Sequence, residues 1–221
     1  MTASGTTNTK GASRMLGLPQ QTEVKKQLPK SAIYTKFQMN NAQKERIDSD
    51  ISKLVIVNEI LPSTINIAAG ENIKAFFVVN VLLKNKKYDE RNIAMISKLI
   101  PQNILFILEF ENEIQLAIYH TKLIHTEWLP KDNTKITLKG LDLDAIWENL
   151  VKSIAFDNEK SEMWNEELSL TENIIRDDER QKLEKEIVRL KRQARNEKQP
   201  KKKFELVQQV NKLKKELENN I

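Results

Sequence analysis

The 221-residue chain holds two histidines, His120 and His125, and no cysteine. In His125-Thr126-Glu127-Trp128 an imidazole stands two residues from a carboxylate. Side chains alternate along an extended segment, so His125 and Glu127 would share one face. A histidine–carboxylate pair can hold a metal ion or move a proton. A resident metal needs about three protein ligands, and this segment supplies only two. A polar pair beside Trp128 at a sheet edge is more often structural.

Glu109 and Glu111, with Asp89 or Glu59 elsewhere, offer the carboxylates that a magnesium-dependent nuclease would use. Such a site also needs a lysine at a fixed offset on the neighbouring strand. None follows Glu109 or Glu111, and Gln115 is the nearest polar residue on the next strand. Glu109, His125 and Glu127 are therefore the weak catalytic candidates of a chain that reads as a non-enzyme. No metal site and no cofactor is expected.

Other chemistries lack their parts. Gly70 and Gly140 are isolated, and two of the five glycines fall in the first fourteen residues. This excludes a glycine-rich phosphate loop, and no Gly-x-Ser-x-Gly elbow is present. Without cysteine there is no disulfide, thiolate nucleophile or cysteine-ligated zinc. A net charge of +5 and a pI of about 9.2 permit a nucleic-acid partner without demanding one. No apolar run approaches the ~18 residues of a membrane span, and the N-terminus has no apolar signal core. A soluble, cytoplasmic protein is expected.

The elements that must position these residues follow from periodicity. Residues 1–14 are small and polar and read as a disordered leader, with the folded region opening near Met15. Pro29 to Phe37 opens a short helix. Ile47, Ile51 and Leu54 recur at helical spacing, and a strand begins at Leu54. A loop around a short strand occupies Leu61 to Ile67. The apolar run from Ala75 to Leu83 predicts a buried central strand. Asp89 caps a helix that carries Ile93, Ile96, Leu99 and Ile100 and ends at Pro101. Ile104 to Phe110 and Ile114 to Tyr119 form a hairpin, with further strands at Lys122 to Leu129 and Lys135 to Lys139. Beyond Gly140, Asp142 caps an amphipathic helix whose stripe is Leu143, Ile146, Trp147, Leu150, Val151 and Ile154. The fold class is α+β or α/β: a mixed sheet flanked by helices, spanning residues 15–157.

Residues 158–221 differ in composition. Leu183, Ile187, Leu190 and Ala194 form one coiled-coil seam, and Leu206, Val210, Leu213, Leu217 and Ile221 form another. The seams are out of register by two residues, with Pro200 between them. Two helices turning back on each other around Asn196–Lys203 satisfy both facts. Glu162 to Glu179 carries a net charge of −6, and Lys185 to Lys203 carries +7. Lys191, Arg192, Arg195, Lys198, Lys201, Lys202 and Lys203 cluster near the expected turn. They can contact phosphates without reading sequence. Only Phe204 lies nearby to stack a base.

Several short motifs occur in order: Leu16-Gly17-Leu18-Pro19, Thr22-Glu23-Val24, Leu28-Pro29-Lys30, Leu61-Pro62-Ser63-Thr64-Ile65-Asn66-Ile67, His125-Thr126-Glu127-Trp128 and Leu138-Lys139-Gly140-Leu141-Asp142-Leu143-Asp144. Together they resemble the bacterial family catalogued as domain of unknown function 4391. The resemblance implies a context beside helicases and DNA methyltransferases of restriction-modification or phage-defence type. It assigns no catalytic residue. The expected function is a non-catalytic accessory subunit of a DNA-handling complex. It would assemble through the C-terminal coiled coil with a helicase- or methyltransferase-type partner, and touch DNA through the basic tip. A divergent metal-dependent nuclease and a structural homodimer are the alternatives.

Overall fold

The computed structural model describes residues 16–156 and 164–219. The expected leader at 1–14, Met15, the boundary at 157–158, Glu162 and Ile221 lie outside the described residues. The chain divides into two compact units, Met1–Asp157 and Asn158–Ile221.

The first unit carries β1 (Glu23–Gln27), α1 (Lys30–Lys36), α2 (Asn41–Asp50), β2 (Ile51–Ile60) and the short α3 (Pro62–Ile65). These are followed by β3 (Phe76–Leu83), α4 (Glu90–Ile96), β4 (Asn103–Phe110), β5 (Glu113–Tyr119), β6 (Leu123–His125), β7 (Leu129–Pro130) and α5 (Leu143–Ala155). The strands form one mixed sheet in the order β1-β2-β3-β4-β5-β6, with β7 also on β5. Among the described strands, β3 and β4 are the one neighbouring pair that is parallel. A parallel pair needs a crossover, and α4 supplies it.

Strand alternation splits the core. On one face Leu54, Ile56, Val79, Val81, Phe106 and Leu108 pack with Ile33 of α1, Ile47 of α2, and Ile93 and Ile96 of α4. On the other, Phe76 meets Trp147 of α5 with ring centroids 5.2 Å apart. The predicted stripe of α5 is buried throughout.

Several elements differ from their sequence expectation, each for a physical reason. Ile51 and Leu54 lie in β2, not on a helix with Ile47. A bulge between Ile51 and Lys53 puts residues three apart on one face, which mimics helical spacing. The segment around Ile65 is one helical turn rather than a strand; Pro62 starts it and Asn66, at φ 54, ends it. Leu99 and Ile100 lie beyond α4, where the tighter bonds of Lys98 N–H to Met95 O and Leu99 N–H to Ile96 O close the helix. Residues 122–129 hold two short strands separated by Thr126–Trp128. Lys135–Lys139 is not a strand, because β6 and β7 already occupy the outer edge of β5.

The second unit holds α6 (Leu170–Asn196) and α7 (Pro200–Asn219). Ser169 and Glu172 form a reciprocal capping box at the start of α6. The turn is Glu197–Gln199, so Pro200 opens the second helix instead of sitting inside the turn. A proline is suited to a first helical position, where its missing N–H loses no bond.

Candidate functional site

In the hairpin, Ile187, Leu190 and Val210 are buried, with Leu206, Leu213 and Leu217 packed against them. Ala194 is buried too, and Leu183 is half-buried outside this cluster. The two out-of-register seams thus face each other across the turn. Lys191, Arg192, Arg195, Lys198, Lys201, Lys202 and Lys203 are all exposed. Among the described residues none of the seven forms an ion pair, whereas Arg180 bridges Asp177 at 2.8 Å and Glu184 at 2.5 Å further along α6. Phe204 is 63% exposed at the same end. The structure therefore gathers seven unneutralised cations around one turn.

In the first unit, His125 is not placed with Glu127. Strand β6 ends at His125, so the alternation that would put them on one face stops there. The imidazole meets Glu90 of α4 instead, with Nε2 3.4 Å from Oε1. Buried Gln115 sets the ring. Its amide nitrogen donates to the Thr126 carbonyl at 2.8 Å and lies 3.0 Å from His125 Nδ1. Tyr88 donates its hydroxyl to the Gln115 side-chain oxygen at 2.6 Å. His125 Nδ1 lies 3.0 Å from the Thr126 carbonyl oxygen as well. Burial, and then the Glu90 charge, hold the Tyr88 phenol above its ordinary value, so it remains a donor. The chain Tyr88–Gln115–His125–Glu90 ties α4 to β5 and β6. Its inner end is buried at Gln115, while the Glu90 side chain at its outer end is 59% exposed.

Glu109 is placed differently. Asn80 of β3 donates to its Oε2 at 2.8 Å. Lys131, which follows β7, pairs with its Oε1. A lysine thus does reach the carboxylate, from 22 residues along the chain rather than from a strand offset. Both carboxylate oxygens are engaged. Among the described residues no three His, Asp or Glu side chains converge as a metal-ligand set.

Sequence reasoning missed Tyr88, Glu90, Gln115, Asn80 and Lys131. Two signals were present: Asn80 interrupts the apolar run of β3, and Gln115 interrupts that of β5. A polar residue inside a buried strand needs a partner. The partners come from distant segments, so spacing could not reveal them.

Residues of the ordered motifs also reach distant segments. Ile136 donates its amide to the Leu16 carbonyl at 2.8 Å, and Leu143 donates to Ala68 at 3.2 Å. Asn58 donates to Thr22 at 2.8 Å, and Lys30 pairs with Asp48 at 2.6 Å. Asp144 accepts from the backbone amides of Glu71 at 2.8 Å, Asn72 at 3.0 Å and Ile73 at 2.7 Å. The motifs therefore act as struts between segments.

Fold and motifs together define a mixed-sheet α+β domain followed by a helical hairpin. The family model described as Domain of unknown function (DUF4391) matches residues 16–217, and the chain belongs to that family. No curated protein and no solved structure matches the chain. Among the described residues, no helix is long and apolar enough to cross a membrane.

Proposed function

We propose that this protein is a non-catalytic accessory subunit of a bacterial DNA-handling complex of restriction or anti-phage defence type. The hairpin is its docking element, and the basic turn contacts DNA phosphates. The observation that carries this reading is the set of seven exposed cations, from Lys191 to Lys203, with no carboxylate paired to any of them among the described residues. Surface cations left unpaired around one turn lower the free energy of a polyanion brought against it. The defence setting rests on the family resemblance, and a helicase- or methyltransferase-type subunit is the partner it suggests.

The nuclease alternative is weakened by the Glu109 geometry, since Lys131 and Asn80 occupy the oxygens a metal would need. Affinity purification of the full chain from its native host tests the proposal. Wild type should bring down a DNA-translocating or DNA-modifying subunit. A variant with Leu190→Asp and Val210→Asp, which breaks the seam, should not. Equal recovery by both would contradict a docking role for the hairpin.

A further inference from the structure

Helix α7 has two faces of unlike chemistry. Leu206, Val210, Leu213 and Leu217 pack with Ile187 and Leu190 of α6. Phe204, Gln208, Asn211 and Lys215 each stand two residues before one of these. Two residues are about 200° of helical turn, so the second set lies on the opposite face. Lys201, three residues before Phe204, continues this outer stripe. All five residues are exposed, Phe204 by 63%. Among the described residues no ion pair or side-chain hydrogen bond engages any of them. From Lys201 to Lys215 the stripe carries no carboxylate. Glu205 and Glu216 each fall one residue past a stripe position, about 100° around the helix, and Glu218 comes a turn beyond its end.

These residue types match a nucleic-acid duplex. Lys201 and Lys215 bracket the stripe, about 21 Å apart along the axis. Their charge complements phosphates, and nothing on the stripe between them offsets it. Between them stand one aromatic ring and two carboxamides. A carboxamide donates and accepts at once, which is the pattern adenine presents in the major groove, and an apolar ring suits the thymine methyl. An α-helix of about 10–12 Å diameter enters that groove, which is about 12 Å wide. Helix α6 covers only the seam side, so the outer face is clear. Hairpin packing gives the exposed Phe204 ring no role; a base edge does.

We propose that the outer face of α7 enters the major groove of duplex DNA and reads base edges there. Gln208 and Asn211 pair with adenines, Phe204 covers a thymine methyl, and Lys201 and Lys215 hold phosphates. This inference rests on the DNA contact proposed for the turn and adds sequence selection to it. Selection by the full chain from duplexes with a randomised core, followed by sequencing, tests it. The selected sequence should contain adenine–thymine pairs and bind at least about tenfold more tightly than a scrambled duplex of equal composition. Gln208→Ala with Asn211→Ala should cut that ratio below about threefold while circular dichroism stays unchanged. Gln209→Ala, one residue off the stripe, should keep the ratio. Replacing the selected adenines by 7-deazaadenine, which lacks the major-groove acceptor, should weaken wild-type binding at least about threefold. Duplex binding with no selected sequence, or a preference that survives Gln208→Ala with Asn211→Ala, overturns the assignment and leaves the phosphate contact standing. Tighter binding to a single strand, abolished by Phe204→Ala, overturns it in favour of base stacking. Failure to bind any duplex at low salt defeats the phosphate contact and this inference with it.

Discussion

Asp144 stands where any side chain on Gly70 would have to be: a Cβ built at Gly70 would lie 2.1 Å from the Asp144 carboxylate oxygen. The carboxylate needs that space because it accepts three successive backbone amides, from Glu71 to Ile73. Gly70→Ala should therefore expel Asp144 from its seat. The expected loss is about 1–3 kcal/mol, the range for overpacking at a tight contact. Urea unfolding of the variant checks it.

The same contact predicts a pH dependence. The amides, Asn72 first, hold the Asp144 carboxyl below its ordinary value. A carboxyl lowered by folding adds stability above its unfolded value of about 3.9, and that share is lost as pH falls through the lowered folded value. Thermal unfolding at neutral pH should show wild type above Asp144→Asn. The gap should close in strongly acidic buffer.

Gln115 is the joint of the Tyr88–His125 chain and is buried. Gln115→Leu would strand the Tyr88 hydroxyl and one bond to Thr126. The cost should be about 1–3 kcal/mol by chemical denaturation, as for a buried polar group left without its partner. Tyr88→Phe removes one bond only and should cost less.

The pairing of Glu109 with Lys131 joins β4 to the segment after β7, and both side chains are largely buried. Removing either partner leaves the other without its counter-charge, so Glu109→Ala and Lys131→Ala should each destabilise the protein. The double variant should lose less than the sum of the two. A double-mutant cycle by urea denaturation gives that coupling.

The sequence made legible whatever rested on unbroken periodicity. Strands β3 and β4 follow from nearly continuous apolar runs, and α5 from a stripe of 3.6-residue period. Strand β1 was not visible, because Glu23–Gln27 is a polar edge strand with little buried surface. The start of β2 was misread because its bulge copies a helical spacing. The site contacts were hidden for another reason. His125 meets Glu90 and Glu109 meets Lys131 only through pairing of distant segments, and no local spacing encodes that. The hairpin turn was placed from the register slip around Pro200, although the proline proved to start a helix rather than to bend one.

The central claim is that the exposed cations around the Glu197–Gln199 turn contact DNA phosphates. Its most direct test is the salt dependence of duplex binding by the full chain, beside a variant with Lys201, Lys202 and Lys203 replaced by Ala. Each phosphate contact contributes about 0.9 to the slope of log K against log salt on duplex DNA. Wild type should bind with a steep slope. The variant should lose up to about 2.7 of it, at about 0.9 per lysine, while its circular dichroism stays unchanged. A wild-type chain that fails to bind duplex DNA at low salt, or a variant with the same slope, would contradict the account.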